Sequence, residues 1–406
     1  MLYKTTVCLK KFRGILTTMN ELNKLSRTLP EHTRLQWLYI LTVLGVLCGI
    51  ALSFPAWSSI RTYPLVPLLP ELALPQFVHI GLLFVFVTSL LASLRYRSYQ
   101  AHLLCLSISS LGLLCILDIT RFQPWIFHYL AILSVFLGAR YWRISSRNTL
   151  DAVRILIGGM YLWSGLQKLN LAFFTTEFPW FTRPLWELQT DLLLPPFLFF
   201  GLLAPFLEVA IGLGLFSVRT RTLALIGSFS MMGLVLVCLG PFGHDWNSVV
   251  WPWNIVLFLT TTLVFWKTDF TLKSFVTRQK RNLLGLSIFG LFWILPLGNV
   301  FGLVDHYLSW SLYSGRAPEA TLIGDTMILS SLSPQANAKE LSFMRWATSE
   351  MNVVPYPEER VFNTIFESMC SQFNQDTSLV LQVEKSQSYF NTDKIITNKS
   401  CGFFSK

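Results

Sequence analysis

Residues 195–217, PPFLFFGLLAPFLEVAIGLGLFS, contain one acidic or basic side chain, Glu208. A helix that is apolar on every side belongs in the middle of a large core or in a bilayer. Eight more stretches read the same way, at 35–54, 77–94, 102–119, 123–142, 152–168, 222–240, 249–266 and 283–303. Each has close to the roughly 20 residues that a helix needs to cross the hydrocarbon layer. Backbone groups in lipid must be bonded within their own segment, which a helix achieves. The expected fold class is an all-α polytopic membrane helical bundle of nine transmembrane helices. Composition points the same way: 52% of residues are hydrophobic and 13% charged, against about 25% charged in soluble domains.

Basic residues orient the chain, because cytoplasmic loops collect Lys and Arg. The N-terminal segment holds Lys4, Lys10, Lys11, Arg13, Lys24, Arg27 and Arg34. Every second turnaround is rich as well: Arg95 and Arg97; Arg140, Arg143 and Arg147; Arg219 and Arg221; Lys267 through Arg281. The turnarounds between them hold only Arg61, Arg121, Lys168 and Arg183. The alternation predicts the N-terminus inside and the C-terminus outside an inner or plasma membrane. The net charge of +10 is then topology signal and contact with anionic lipid, with no nucleic-acid partner. The N-terminal segment lacks the compact apolar run of a cleaved signal. A short surface helix is expected at Ile15–Leu25.

The chain divides into a basic cytoplasmic segment at 1–34, a membrane bundle at 35–303 and a small extracytoplasmic domain at 304–406. That last part has eight Lys/Arg and eleven Asp/Glu. Within it, ANAKELSFMRWATSEM and PYPEERVFNTIFESMCSQF have helical spacing, the second opened by Pro357. TSLVLQVEK alternates like a strand, so the domain is expected to be α+β. Cys370 and Cys401 are its only cysteines and are a candidate disulfide pair. The remaining cysteines have no metal-ligand spacing, and no nucleotide-binding or zinc-protease motif occurs.

Ionisable groups inside spans cost free energy and need a reason. Lys168 ends an apolar run, with Ser164 and Tyr161 one and two turns back on the same face. It is either a lysine snorkelling to the headgroups or a desolvated base. Gly165 beside it leaves room for a ligand or for another helix. Glu208 is either a packing carboxyl or a proton carrier, with Lys168 and His128 as candidate partners. His128, inside PWIFHYLAIL, is a core residue or a proton donor. In FGHDWNSVVWPWN, His244 and Asp245 form a turn or a pair, and Trp251 belongs to an aromatic belt or a substrate rim. Asp118 and Arg121 flank a turn and are expected to pair.

MYLWSGLQKLN resembles the membrane signature shared by vitamin K-dependent γ-carboxylases, HTTM domains and, more loosely, DoxX-like proteins. In these an aromatic-rich helix leads into a Gly-x-x-Lys-Leu turn, here Gly165, Lys168 and Leu169. HYLAILSVFL resembles the carboxylases' helix with a histidine and a tyrosine, with His128 one position out of register. FGLVDHYLSWSLYSG resembles the segment after the last span of HTTM-type proteins. The resemblance covers most of residues 35–315. It implies a membrane cavity for a quinone, with Lys168 as the base. The outer domain is much smaller than a carboxylase's and has no recognisable propeptide-binding or glutamate-handling region, so glutamate carboxylation is not expected.

The expected function is a redox or lipid-modifying enzyme acting on a quinone or another lipid-soluble molecule. Lys168 would be the base, with Glu208 or His128 relaying protons. Tyr161, Ser164 and Gly165, with His244, Asp245 and Trp251 at the rim, would contact the substrate. No metal or nucleotide is expected. The rival readings are an anchor that presents the outer domain to a protein partner, and a transporter built on the proline-interrupted span at 195–217.

Overall fold

The structure, a computed structural model, describes residues 29–69, 74–186, 194–279, 283–337, 339–373, 378–388 and 391–401. The surface helix expected at Ile15–Leu25 lies outside the described residues. The bundle helices are α1 (Glu31–Leu52), α2 (Phe54–Ser58), α3 (Gln76–Arg95), α4 (Gln100–Leu117), α5 (Pro124–Tyr141), α6 (Ser146–Gln167), α7 (Phe178–Trp186), α8 (Leu194–Gly214), α9 (Arg221–Leu239), α10 (Val250–Phe265), α11 (Leu272–Gln279) and α12 (Leu283–Phe289). The last continues through a π turn (Gly290–Ile294) and a 3-10 turn (Leu295–Phe301).

A helix lies at each of the nine apolar stretches. Five are both long and apolar enough to cross a bilayer: Glu31–Leu52, Gln76–Arg95, Arg97–Leu117, Arg221–Leu239 and Leu283–Phe301. Others fall short for visible reasons. The first half of α6 carries Arg147, Asp151 and Arg154, and α10 has only 16 residues. Large apolar side chains such as Phe77, Phe84, Leu223 and Phe229 point outward from the bundle, as lipid-facing residues do.

Helix α6 is the hub. Every residue from Thr149 to Tyr161 is buried. Its crossing with α8 depends on glycine. A Cβ on Gly212 would stand 2.8 Å from Leu162 N, and one on Gly165 would stand 2.6 Å from Pro205 O. Small residues let two backbones approach this closely. At the basic end of the bundle, Arg34 and Arg154 donate to the last carbonyls of α10, Leu263 O at 2.6 Å and Val264 O at 2.7 Å. Cations there complement the helix dipole.

At the other end Asp118 pairs with Arg121 as expected, at 3.6 Å, and more closely with Arg61, at 2.6 Å. Arg121 also donates to backbone carbonyls, to Ser59 Oγ at 2.8 Å and to His79 Nδ1 at 2.9 Å. Arg61 lies 57 residues from Asp118, so local spacing could not single it out.

The C-terminal domain is α+β. Four antiparallel strands, β1 (Glu319–Ile323), β2 (Glu340–Ser342), β3 (Val380–Ser388) and β4 (Asn391–Ser400), have the order β2-β1-β3-β4. Helices α13 (Thr326–Leu332), α14 (Phe343–Met351) and α15 (Glu359–Gln372) accompany them. The helix expected from Ala336 starts only at Phe343. Residues 340–342 pair with β1 instead, and Ser342 Oγ accepts from Arg345 N as the N-cap. Pro357 precedes α15 rather than sitting in its first turn, because Glu358 is the N-cap. Cys370 on α15 and Cys401 after β4 are bonded, S–S 2.12 Å.

This domain is built into the bundle. Glu350 on α14 accepts from Thr62 N at 2.8 Å, Tyr63 N at 2.9 Å and Trp346 Nε1 at 2.8 Å, and also from Thr62 Oγ1. Asn352 Nδ2 donates to Leu52 O at 3.0 Å and Ser248 Oγ at 2.6 Å. Gln123 Nε2 donates to Val354 O at 2.9 Å.

Candidate functional site

Lys168 is the C-cap of α6. Its Nζ lies 2.9 Å from Glu208 Oε2 on α8, 2.7 Å from Ser164 Oγ and 3.2 Å from Ser164 O. Three acceptors thus surround a group with three N–H donors. Lys168 is 8% and Glu208 9% exposed, so the pair is buried rather than snorkelling. Of Glu208's two candidate partners, the structure selects Lys168. The glycine crossing explains the choice. Gly165 brings α8 into contact at Pro205 and Val209, which flank Glu208, and Lys168 sits nearly one turn further along α6. The space beside Gly165 is therefore filled by a helix rather than left for a ligand.

The rest of the motif makes contacts within the protein. Tyr161 Oη lies 2.6 Å from Ser228 Oγ on α9. Asn170, three residues past the helix end, donates to Gln167 O and to Ser314 O, both at 2.9 Å, and accepts from Phe173 N at 3.0 Å. It ties the lysine turn to the start of the C-terminal domain.

Glu177 was not singled out from the sequence. It ends a π turn, Phe173–Glu177, between α6 and α7 and outside the apolar spans. Burial, reinforced by Glu319 of β1, pushes its carboxyl up to about 7, while Lys168 and Lys394 oppose the rise. Glu177 is thus within electrostatic reach of both Lys168 and the C-terminal sheet. Its signal in the sequence was slight: the first acid after Lys168, in the aromatic turn FFTTEFPW.

His128 on α5 is fully buried. Trp253 Nε1 lies 3.1 Å from its Nδ1. An indole N–H can only donate, so Nδ1 accepts, and in a neutral ring Nε2 carries the proton. That Nε2 has no hydrogen-bond partner among the described residues, and neither do Tyr129 Oη and Trp125 Nε1 on the same helix. Buried polar groups are nearly always bonded. Three unpartnered groups able to donate thus lie on α5, with Tyr129 and Trp125 packed against Gly45 and Gly49 of α1.

His244 and Asp245 do not act together. His244 Nε2 bonds Trp180 O at 2.7 Å and its ring stacks on Trp180 at 4.6 Å. Asp245 is an exposed turn residue with φ 47°, and its N–H donates to Gly240 O at 3.0 Å. Trp251 Nε1 donates to Leu239 O at 2.9 Å. Among the described residues, no group of three His, Cys, Asp or Glu could hold a metal ion.

No protein family, characterised protein or solved structure matches this chain. The site must be read from its own chemistry.

Proposed function

We propose that the chain is a nine-span membrane enzyme, N-terminus inside and outer domain outside, that removes a proton from a lipid-soluble substrate such as a reduced quinone. The observation that carries this reading is the buried Lys168–Glu208 pair at 2.9 Å, lying where the outer domain meets the bundle. A proton shift along Nζ–Oε2 turns the ion pair into an amine and a carboxylic acid. The amine can then accept a proton from a bound hydroxyl while Glu208 keeps the first one. Ser164 Oγ, 2.7 Å from Nζ, holds the amine in place. Glu177, with its carboxyl at about 7, is suited to pass the proton outward.

His128, Tyr129 and Trp125 fit the substrate class. Their unpartnered groups can donate to the oxygens of a quinone ring in otherwise apolar surroundings. Helix α14, through Glu350 and Asn352, clamps the outer domain onto the bundle. That favours a cap over the site rather than a module held out to a partner.

Titration of the purified protein with a short-chain naphthoquinone tests the reading. Tryptophan fluorescence should be quenched saturably, and His128→Ala should weaken binding about tenfold, the loss of one buried hydrogen bond. Linear, unsaturable quenching that is identical in both proteins would overturn it.

A further inference from the structure

A groove of about 380 Å³ opens at the arginine-rich end of the bundle. It lies between the end of α5 (Trp142, Arg143), the start of α6 (Ser145, Asn148) and the start of α12 (Leu283, Leu284). We propose that it binds the phosphodiester headgroup of one anionic membrane phospholipid, with Arg143 as the charged contact.

The charges at this end separate the three arginines of the turnaround. Arg140 donates to Gln100 Oε1 at 2.9 Å and Arg97 O at 3.3 Å. Arg147 pairs with Asp269 at 2.8 Å. Arg143 has no hydrogen-bonding or ionic partner among the described residues, and no acidic side chain lines the groove with it. A guanidinium so placed matches phosphate oxygens, and Ser145 and Asn148 add polar groups at the same wall.

The rim identifies the source of the phosphate. Leu283 is 72%, Trp142 57% and Leu286 48% exposed. Leu283 begins one of the five membrane-length apolar helices, and Tyr141 and Trp142 end α5 as aromatic residues do at a membrane interface. A headgroup seated at Arg143 would lay its acyl chains over Leu283, Leu286 and Trp142. A free phosphate would leave that apolar rim without a function. The volume suits a headgroup and not a whole lipid.

The test uses the full chain in nanodiscs of equimolar phosphatidylglycerol and phosphatidylcholine, released into mild detergent and weighed by native mass spectrometry. The wild type should retain phosphatidylglycerol in preference to phosphatidylcholine. Arg143→Gln, a change at an exposed residue, should lower that preference about fivefold, the worth of one basic side chain at an anionic surface. Arg140→Gln should leave it unchanged. Equal retention of the two lipids by the wild type would overturn the proposal, as would a preference untouched in Arg143→Gln. Displacement of the lipid by equimolar inorganic phosphate would assign the groove to a free anion and overturn it too.

Discussion

Replacing one partner of the Lys168–Glu208 pair should cost far more than replacing both. Removing one member of a buried ion pair typically costs about 3–5 kcal/mol, whereas exchanging both for apolar residues is often close to neutral. Surface pairs are worth about 0.2–1 kcal/mol. With 8% and 9% exposure, Lys168 and Glu208 belong to the first regime. The two single changes should also differ. In Glu208→Leu the ammonium keeps Ser164 Oγ and O at 2.7 and 3.2 Å, which places the cost near the lower figure, about 3 kcal/mol. In Lys168→Met the carboxylate loses its only hydrogen-bonding partner among the described residues, and the cost should approach about 5 kcal/mol. The assay is unfolding by SDS titration, followed by near-ultraviolet circular dichroism, on both single variants and the double variant. Single costs below about 1 kcal/mol that simply add in the double variant would refute the reasoning, because they describe a solvated pair.

Three further outcomes follow from the same contacts. The Glu177 carboxyl is raised by burial and Glu319 from 4.5 to about 7, so the folded state binds a proton that the unfolded chain releases. Its contribution is complete below pH 4.5 and is lost as pH rises to about 7; a stability profile of Glu177→Gln that keeps the wild-type slope there would contradict this. Glu350→Ala leaves Thr62 N, Tyr63 N and Trp346 Nε1 without their acceptor and should loosen the outer domain by about 2 kcal/mol, seen as faster trypsin cleavage within 304–406. Cys370→Ala opens a cross-link spanning 31 residues and should destabilise the outer domain by about 3–4 kcal/mol on the chain-entropy model; an unchanged melting curve would show that the link contributes nothing.

How much of this could be read beforehand depended on the range of the interaction. Apolar runs are local, so helices stand where the nine stretches predicted them. The basic turnarounds are local too. Pairings across the bundle are not. Glu208 had two candidate partners until the close approach at Gly165 and Gly212 put Lys168 beside it. The Asp118–Arg121 pair is local and stands as expected, whereas the closer partner Arg61 arrives from another loop. The C-terminal sheet was harder. One strand, β3, alternates clearly, but β4, NTDKIITNKS, is an edge strand with exposed Ile395 and Ile396 and shows little pattern. Residues 340–342 pair with β1 over a stretch too short to outweigh the helical spacing around it. Glu177 and the unpartnered donors of α5 gain their meaning only from their surroundings.

The most direct measurement is a solvent extraction of the purified protein, analysed for bound quinone by mass spectrometry and ultraviolet absorbance beside a Lys168→Ala preparation. Close to one quinone per chain is expected in the wild type, lost or chemically altered in the variant. Bulk phospholipid alone, the same in both, would contradict a lipid-soluble substrate at Lys168 and leave the ion pair a structural contact between α6 and α8.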